Sequence, residues 1–119
     1  MDSLPPEMFQ AYQRYLKKPH LTRELLVAKV RPYLGVISDA SRQSPELDIA
    51  TAGELAAAIL RLLRECNEGQ LAHGQAALLY FLESDDSEPD LESPDGFADD
   101  VVFFNAVCQE IGRPDLQLR

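Results

Sequence analysis

Nine acidic side chains and no basic one lie between residues 83 and 100, and three kinds of chemistry suit them. Clustered carboxylates can ligate hard cations such as Ca²⁺ or Mg²⁺, which prefer oxygen ligands. They can also form a docking surface for a basic partner protein, which their electric field steers into place. Asp and Ser side chains can instead brace a tight loop and cap the helix that follows it. The nine residues are Glu83, Asp85, Asp86, Glu88, Asp90, Glu92, Asp95, Asp99 and Asp100.

A divalent-cation site, structural or catalytic, is the alternative prediction for this stretch, and it implies no other cofactor. The EF-hand pattern is not satisfied. When the loop is aligned from Asp86, Leu91 falls on the position that requires glycine and Pro89 lies inside the loop. Several alternating carboxylates nevertheless remain. Four aspartates are the candidate ligands: Asp86, Asp90, Asp99 and Asp100.

The leading prediction is a small, non-enzymatic interaction or regulatory protein that presents this acidic surface to a basic partner protein. The net charge is −9, and the residues outside 83–100 carry eleven acidic and eleven basic side chains, which cancel. Nucleic acids and anionic membranes require Lys and Arg contacts, so neither is expected as a ligand. The predicted contact residues are Asp85, Asp86, Glu88, Asp90, Glu92 and Asp95.

Sequence signatures of catalysis are absent. There is no GxSxG motif, glycine-rich phosphate loop or HExxH motif. His20 follows a proline in a predicted turn, and His73 has no Cys, Asp or Glu three or four residues away. Cys66 and Cys108 form no CxxC motif and are predicted to be buried, reduced thiols. No catalytic residue is therefore assigned, and no enzyme activity is expected.

The location of the protein is predicted from two further features. The N-terminal stretch MDSLPPEMFQ has neither the basic nor the apolar region of a signal peptide. The longest apolar run, Ala76–Leu82, has seven residues, whereas crossing a bilayer takes roughly 18–20. We therefore expect a soluble cytoplasmic protein. The sequence does not indicate its oligomeric state.

Helical spacing of apolar residues recurs in the first half of the chain, with no sustained strand-like alternation. A first helix is predicted to begin near Pro5–Pro6 and to end before Pro19. A second helix is predicted from Thr22, and Pro32 should kink or split it. The composition of residues 41–48 predicts a loop.

Three more helices are predicted in the second half. Thr51 and Glu54 have the spacing of a capping box at the start of the third helix. A turn at 67–70 precedes a fourth helix over about Leu71–Leu82. The last helix follows the acidic stretch, and Gly112 is its predicted C-cap. Its apolar row is Phe97, Val101, Phe104, Cys108 and Ile111.

These elements predict a single all-α domain over residues 1–119. It is expected to be a compact bundle of four to five helices, with an acidic, Pro- and Gly-containing loop before the last helix. A chain of 119 residues with 45% hydrophobic residues can build such a core without disulfide or metal crosslinks.

The acidic stretch also resembles the signature of the YkvA-like family (DUF1232), a domain family of unknown function. That signature runs approximately Y-x-x-x-[SP]-x-D-x-x-P-D-x-x-P-x-x-G-x-x-D-D. The resemblance covers about residues 71–111. Two positions depart from it: Ser84 stands where the first proline is common, and Pro94 is displaced by one residue. The matching residues are Tyr80, Asp86, Pro89, Asp90, Gly96, Asp99 and Asp100.

The resemblance implies that part of the acidity belongs to a structural framework. Many relatives carry an apolar, membrane-associated segment between the signature positions, whereas this chain carries charged residues there, which favours a soluble form. Gly96 would supply a positive-φ turn and Pro89 would stiffen the loop. The family brings no established reaction. The framework residues it implies are Tyr80, Pro89, Gly96, Asp99 and Asp100.

Overall fold

The computed structural model describes residues 4–43, 49–82 and 98–118. These residues form five α-helices, two short 3₁₀ turns and no β-strand, which confirms the predicted all-α bundle. Within the same ranges, no helix is both long and apolar enough to cross a bilayer. The helices are α1 (Pro6–Leu16), α2 (Arg23–Gln43), α3 (Ile49–Glu65), α4 (Leu71–Leu82) and α5 (Ala98–Glu110). The 3₁₀ turns are Glu68–Gln70 and Pro114–Leu116.

Helix α4 lies at the centre of the bundle and contacts each of the other four helices. Its sequence, LAHGQAALLYFL, contains no Asp, Glu, Lys or Arg, so it can be buried around most of its circumference. Gly74 lets α3 approach closely, since a Cβ there would lie 3.1 Å from Leu63 Cδ2. Helix α2 packs mainly along α3, and α1 packs mainly along α4. The buried side chains of all five helices form one cluster.

Pro32 was predicted to kink or split α2, and the helix is continuous across it, so of these two outcomes the split is wrong. Pro32 lies on the exposed side of the helix. Leu26 and Val30 before it and Ile37 after it are each at most 1% exposed. Burial on both sides of the proline therefore outweighs the loss of one backbone hydrogen bond. The helix also extends to Gln43, into the stretch that composition predicted as a loop.

The predicted capping box at Thr51 is also wrong, because α3 begins at Ile49 and Thr51 is its third residue. A capping box exists instead in the turn before α4. Asn67 Oδ1 accepts a hydrogen bond from the Gln70 backbone N–H at 2.9 Å, and Gln70 Oε1 accepts one from the Asn67 N–H at 3.1 Å. Gln70 Nε2 also donates to the Ile111 carbonyl at 3.0 Å, which ties this turn to the end of α5.

The predicted bounds of α4 and the predicted end of α5 are confirmed. Helix α4 spans Leu71–Leu82 as expected. Helix α5 ends at a glycine C-cap, because Gly112 adopts φ = 77°. The Arg113 N–H donates to the Cys108 carbonyl at 2.8 Å and the Gly112 N–H to the Gln109 carbonyl at 3.1 Å, the two hydrogen bonds of a Schellman motif. A side chain other than glycine would be strained in this backbone conformation.

A surface ion network joins the segment after α5 to the end of α3. Arg113 Nη2 lies 2.8 Å from Glu65 Oε1 and 2.9 Å from Asp115 Oδ2. Glu65 also accepts from Arg61 Nε at 2.8 Å. Hydrogen bonds from Arg113 and then Arg61 lower the pKa of Glu65, and the Arg113 hydrogen bond lowers the pKa of Asp115.

This network predicts a pH dependence of stability. The carboxyl pKa values are lower in the folded than in the unfolded chain, so the network stabilises the fold above the unfolded values, roughly pH 4. That contribution is lost as pH falls through the folded pKa values. Thermal melts from pH 6 to pH 3 at low salt should show a smaller acid-induced fall in Tm for Glu65→Gln than for wild type. Glu54→Gln, on an exposed face of α3, is the control. Parallel pH profiles for wild type and Glu65→Gln would contradict the expectation.

Candidate functional site

The end of the acidic stretch lies in the first turn of α5, where the structure describes Asp99 and Asp100. Asp99 is exposed, whereas Asp100 is only 2% exposed. They are the second and third residues of the helix, so neither occupies the N-cap position. The exposed carboxylate of Asp99 places negative charge at the positive end of the helix dipole, which stabilises α5.

The two aspartates face different surroundings because consecutive helical residues point about 100° apart. Asp99 points toward solvent and Asp100 toward the protein interior. In the described ranges, no group of three or more His, Cys, Asp or Glu side chains could hold a metal ion. Asp86 and Asp90 lie outside those ranges. The four-aspartate cation site therefore stays a prediction.

Tyr80 has a definite packing role at the end of α4. Its ring is partly buried and stacks on Phe103 of α5, with the ring centroids 4.2 Å apart and the planes 7° from parallel. This contact joins the two helices on either side of the acidic stretch. The framework residues Pro89 and Gly96 lie outside the described residues, and so do the predicted partner-contact residues Asp85, Asp86, Glu88, Asp90, Glu92 and Asp95.

A tyrosine–histidine pair between α1 and α4 was not predicted. The hydroxyl of Tyr12 lies 2.5 Å from His73 Nδ1, and Tyr12 is 2% exposed. Burial, followed by the nearby charge of Glu110, raises the pKa of Tyr12. The phenol therefore keeps its proton, and it donates a hydrogen bond to Nδ1 in the neutral tautomer that carries the ring proton on Nε2. The pair satisfies a buried hydroxyl and fixes α1 against α4.

The two cysteines are free and buried, as predicted. Burial raises the pKa of Cys108 to about 12, so its thiol is protonated at neutral pH. Cys66 Sγ accepts a hydrogen bond from Arg23 Nη1 at 3.7 Å. Because the thiolate is the nucleophilic form, burial and a high pKa leave Cys108 unsuited to nucleophilic catalysis.

An open cleft of ≈660 Å³ lies between the start of α2 and the turn that precedes α4. Three of its polar side chains, Arg23, Glu68 and Gln75, make structural contacts. Arg23 donates to the Leu63 carbonyl and forms an ion pair with Glu68 at 3.3 Å. Gln75, only 2% exposed, donates to the Pro19 carbonyl and accepts from the Leu21 N–H, each at 2.9 Å. Gln75 in this cleft therefore joins the α1–α2 connection to α4.

No protein-family model, curated protein or solved structure matches this chain. The resemblance of residues 71–111 to the YkvA-like family stays a prediction from the sequence pattern.

Proposed function

We propose that this chain is a small, non-enzymatic interaction or regulatory protein whose acidic segment, residues 83–100, binds the basic surface of a partner protein. The distribution of charge carries the proposal. The whole formal charge of −9 belongs to this segment, because the acidic and basic residues outside it cancel. A dedicated inhibitor of a basic protein would fall in this class. The expected compartment is the cytoplasm, where Cys66 and Cys108 would stay reduced.

The described flanks of the segment support this proposal. Helices α4 and α5 pack together, and Tyr80 and Phe103 stack where the two helices meet. Asp99 adds an exposed carboxylate at the start of α5. The two ends of the acidic segment are thus attached to one packed unit. Like charges this close in sequence repel one another, and the Lys and Arg side chains of a partner would relieve that repulsion.

Neutralising the acidic segment is expected to weaken binding to a basic probe. The probe is a fluorescently labelled Lys/Arg-rich helical peptide, followed by anisotropy. The triple variant Asp85→Asn/Glu88→Gln/Glu92→Gln should weaken binding by a factor between about 3 and 100, because each of the three charge contacts contributes roughly 0.2–1 kcal/mol. Raising the salt should weaken wild-type binding, since charges are screened over about 8–10 Å at physiological ionic strength.

A matched variant, Glu7→Gln/Glu24→Gln/Glu54→Gln, removes the same charge from exposed helical positions. It should leave binding nearly unchanged. Equal weakening by both triple variants, or binding that does not respond to salt, would contradict the proposal.

Calorimetry on chelator-treated protein distinguishes this function from the cation site. We expect no heat of binding from Ca²⁺, Mg²⁺ or Mn²⁺ at millimolar concentration. Metal binding that disappears in Asp86→Asn/Asp90→Asn would instead establish the alternative function.

A further inference from the structure

Helix α2 exposes a row of apolar and small residues along three turns. Leu25 is 53% exposed and Val36 is 50% exposed, and the residues between them on the same side are exposed as well. Their spacing places them on one face of the helix. The opposite face supplies the buried residues of the core. We call the exposed row the α2 face: Leu25, Ala28, Pro32, Gly35 and Val36.

Several properties of the α2 face suit close contact with another helix. Single exposed apolar residues are ordinary, whereas several on one helix face suit an interaction surface. Pro32 has no N–H, so the Ala28 carbonyl lacks its usual α-helical donor on this side. Gly35 opens the face further, since a Cβ there would meet no atom within 4 Å. A partner backbone can therefore approach closely and offer a donor to the Ala28 carbonyl.

The charges on this face are positive near its middle. Lys29 lies within the row and Arg31 borders it, and both are exposed. Neither forms an ion pair with any residue in the described part of the chain, unlike Arg23 and Arg42, which do. Exposed Glu24 borders the first end of the row, so the excess of positive charge is confined to its middle. That excess favours a partner with carboxylates near the middle of its own apolar row.

The same charges argue against a second copy of this chain as the occupant. An antiparallel pairing centred between Leu25 and Val36 would place Lys29 and Arg31 of one copy close to the same residues of the other. A parallel pairing would place every charge opposite itself. Like charges that face each other across a helix pair are destabilising. In these two registers a second copy is disfavoured, so we take a partner of different sequence as the occupant.

We propose that the α2 face docks an amphipathic helix of a partner protein whose apolar row is bordered by Asp and Glu. Leu25 and Val36 anchor the two ends, which eleven helical residues at 1.5 Å each place about 16 Å apart. The partner must then supply about three helical turns, with apolar residues at i, i+3 or i+4, i+7 and i+11. Its residues differ from those of the acidic segment, for which a partner of opposite charge is proposed.

A displayed library of helical peptides, about five turns long and randomised at charged and apolar positions, tests this proposal. The library is selected on the immobilised full-length chain at physiological salt, and enriched peptides are synthesised and measured by fluorescence anisotropy. One enriched class should carry the apolar row with acidic borders. Its Kd should rise about tenfold or more for Leu25→Ser/Val36→Ser, because buried apolar anchors dominate such interfaces. It should rise roughly threefold to tenfold for Lys29→Glu/Arg31→Glu, since charge reversal replaces attraction by repulsion.

The matched control is Ile49→Ser/Val102→Ser, which removes two similarly exposed apolar side chains, 45% and 44% exposed, from α3 and α5. Its affinity for the acidic peptides should equal that of wild type. Circular dichroism should show unchanged helix content in all variants. Basic peptides whose binding depends on Asp85, Glu88 and Glu92 would report on the acidic segment, so the two surfaces are scored separately.

Three outcomes would overturn the α2 proposal. The first is that no acidic amphipathic peptide is enriched over a bare surface. The second is that enriched acidic peptides bind Leu25→Ser/Val36→Ser as tightly as wild type. The third is that sedimentation shows a wild-type dimer that Leu25→Ser/Val36→Ser dissociates, which would assign the face to a second copy of the chain.

Discussion

Replacing Phe103 with alanine is expected to lower the free energy of unfolding by about 3–5 kcal/mol, the usual cost of removing a fully buried phenyl ring. Phe103 is 0% exposed. Its ring contacts three tyrosines from two other helices, with centroids 5.3 Å from Tyr12, 6.5 Å from Tyr15 and 4.2 Å from Tyr80. The substitution would therefore leave a cavity where α1, α4 and α5 meet.

Urea denaturation followed by circular dichroism measures this loss. Val102→Ala, one position earlier in α5 and 44% exposed, should change stability by less than about 0.5 kcal/mol. Phe103→Leu, which keeps most of the apolar volume, should lie between the two. Equal effects of the substitutions at 102 and 103 would mean that the aromatic cluster does not hold the three helices together.

A Gln75→Ala variant is expected to be less stable than wild type by about 1–3 kcal/mol, because two partly buried hydrogen bonds to the backbone would be lost and each contributes about 0.5–1.5 kcal/mol. The Gln75 amide donates to the Pro19 carbonyl and accepts from the Leu21 N–H. It thereby crosslinks the α1–α2 connection to α4 across more than 50 residues of sequence.

Two measurements separate this role from general damage to the core. Urea denaturation of Gln75→Ala should be compared with Gln13→Ala, an exposed glutamine on α1 that should have little effect. Hydrogen exchange should show faster exchange of the Leu21 amide in Gln75→Ala than in wild type. Unchanged protection of that amide would remove the crosslink as the cause of any lost stability.

The sequence predicts a helix end well where a proline or glycine near that end restricts or permits particular backbone φ values. Helix α1 begins at Pro6 and ends before Pro19, and Gly112 closes α5, because proline and glycine restrict or permit particular φ values. Pro32 shows the limit of such signals. Its effect depends on whether the flanking turns are buried, and Leu26 and Ile37 are fixed by contacts with other helices.

The candidate site shows the same limit. The sequence groups Asp99 and Asp100 as a pair, but Asp100 lies on the face that also carries Phe103, Phe104 and Val107, all at most 1% exposed. The apolar row predicted for α5 was centred on Val101 and Phe104, a small rotation away from the face that is actually buried. The sequence of α5 alone does not determine how the helix is rotated about its axis, because that rotation depends on contacts with the surrounding helices. The Tyr12–His73 pair, separated by 61 residues, has no local signal.

Because both cysteines are buried, the rate at which their thiols are alkylated measures how often the native bundle opens. Cys66 at the end of α3 and Cys108 in α5 are 3% and 0% exposed, so alkylating reagents reach them only when the bundle opens. The rate of thiol modification then reports how often those two helices separate from the core. Because the native thiols are buried, a cysteine introduced at an exposed position would react much faster than they do. A single dye could then be attached there without altering Cys66 or Cys108.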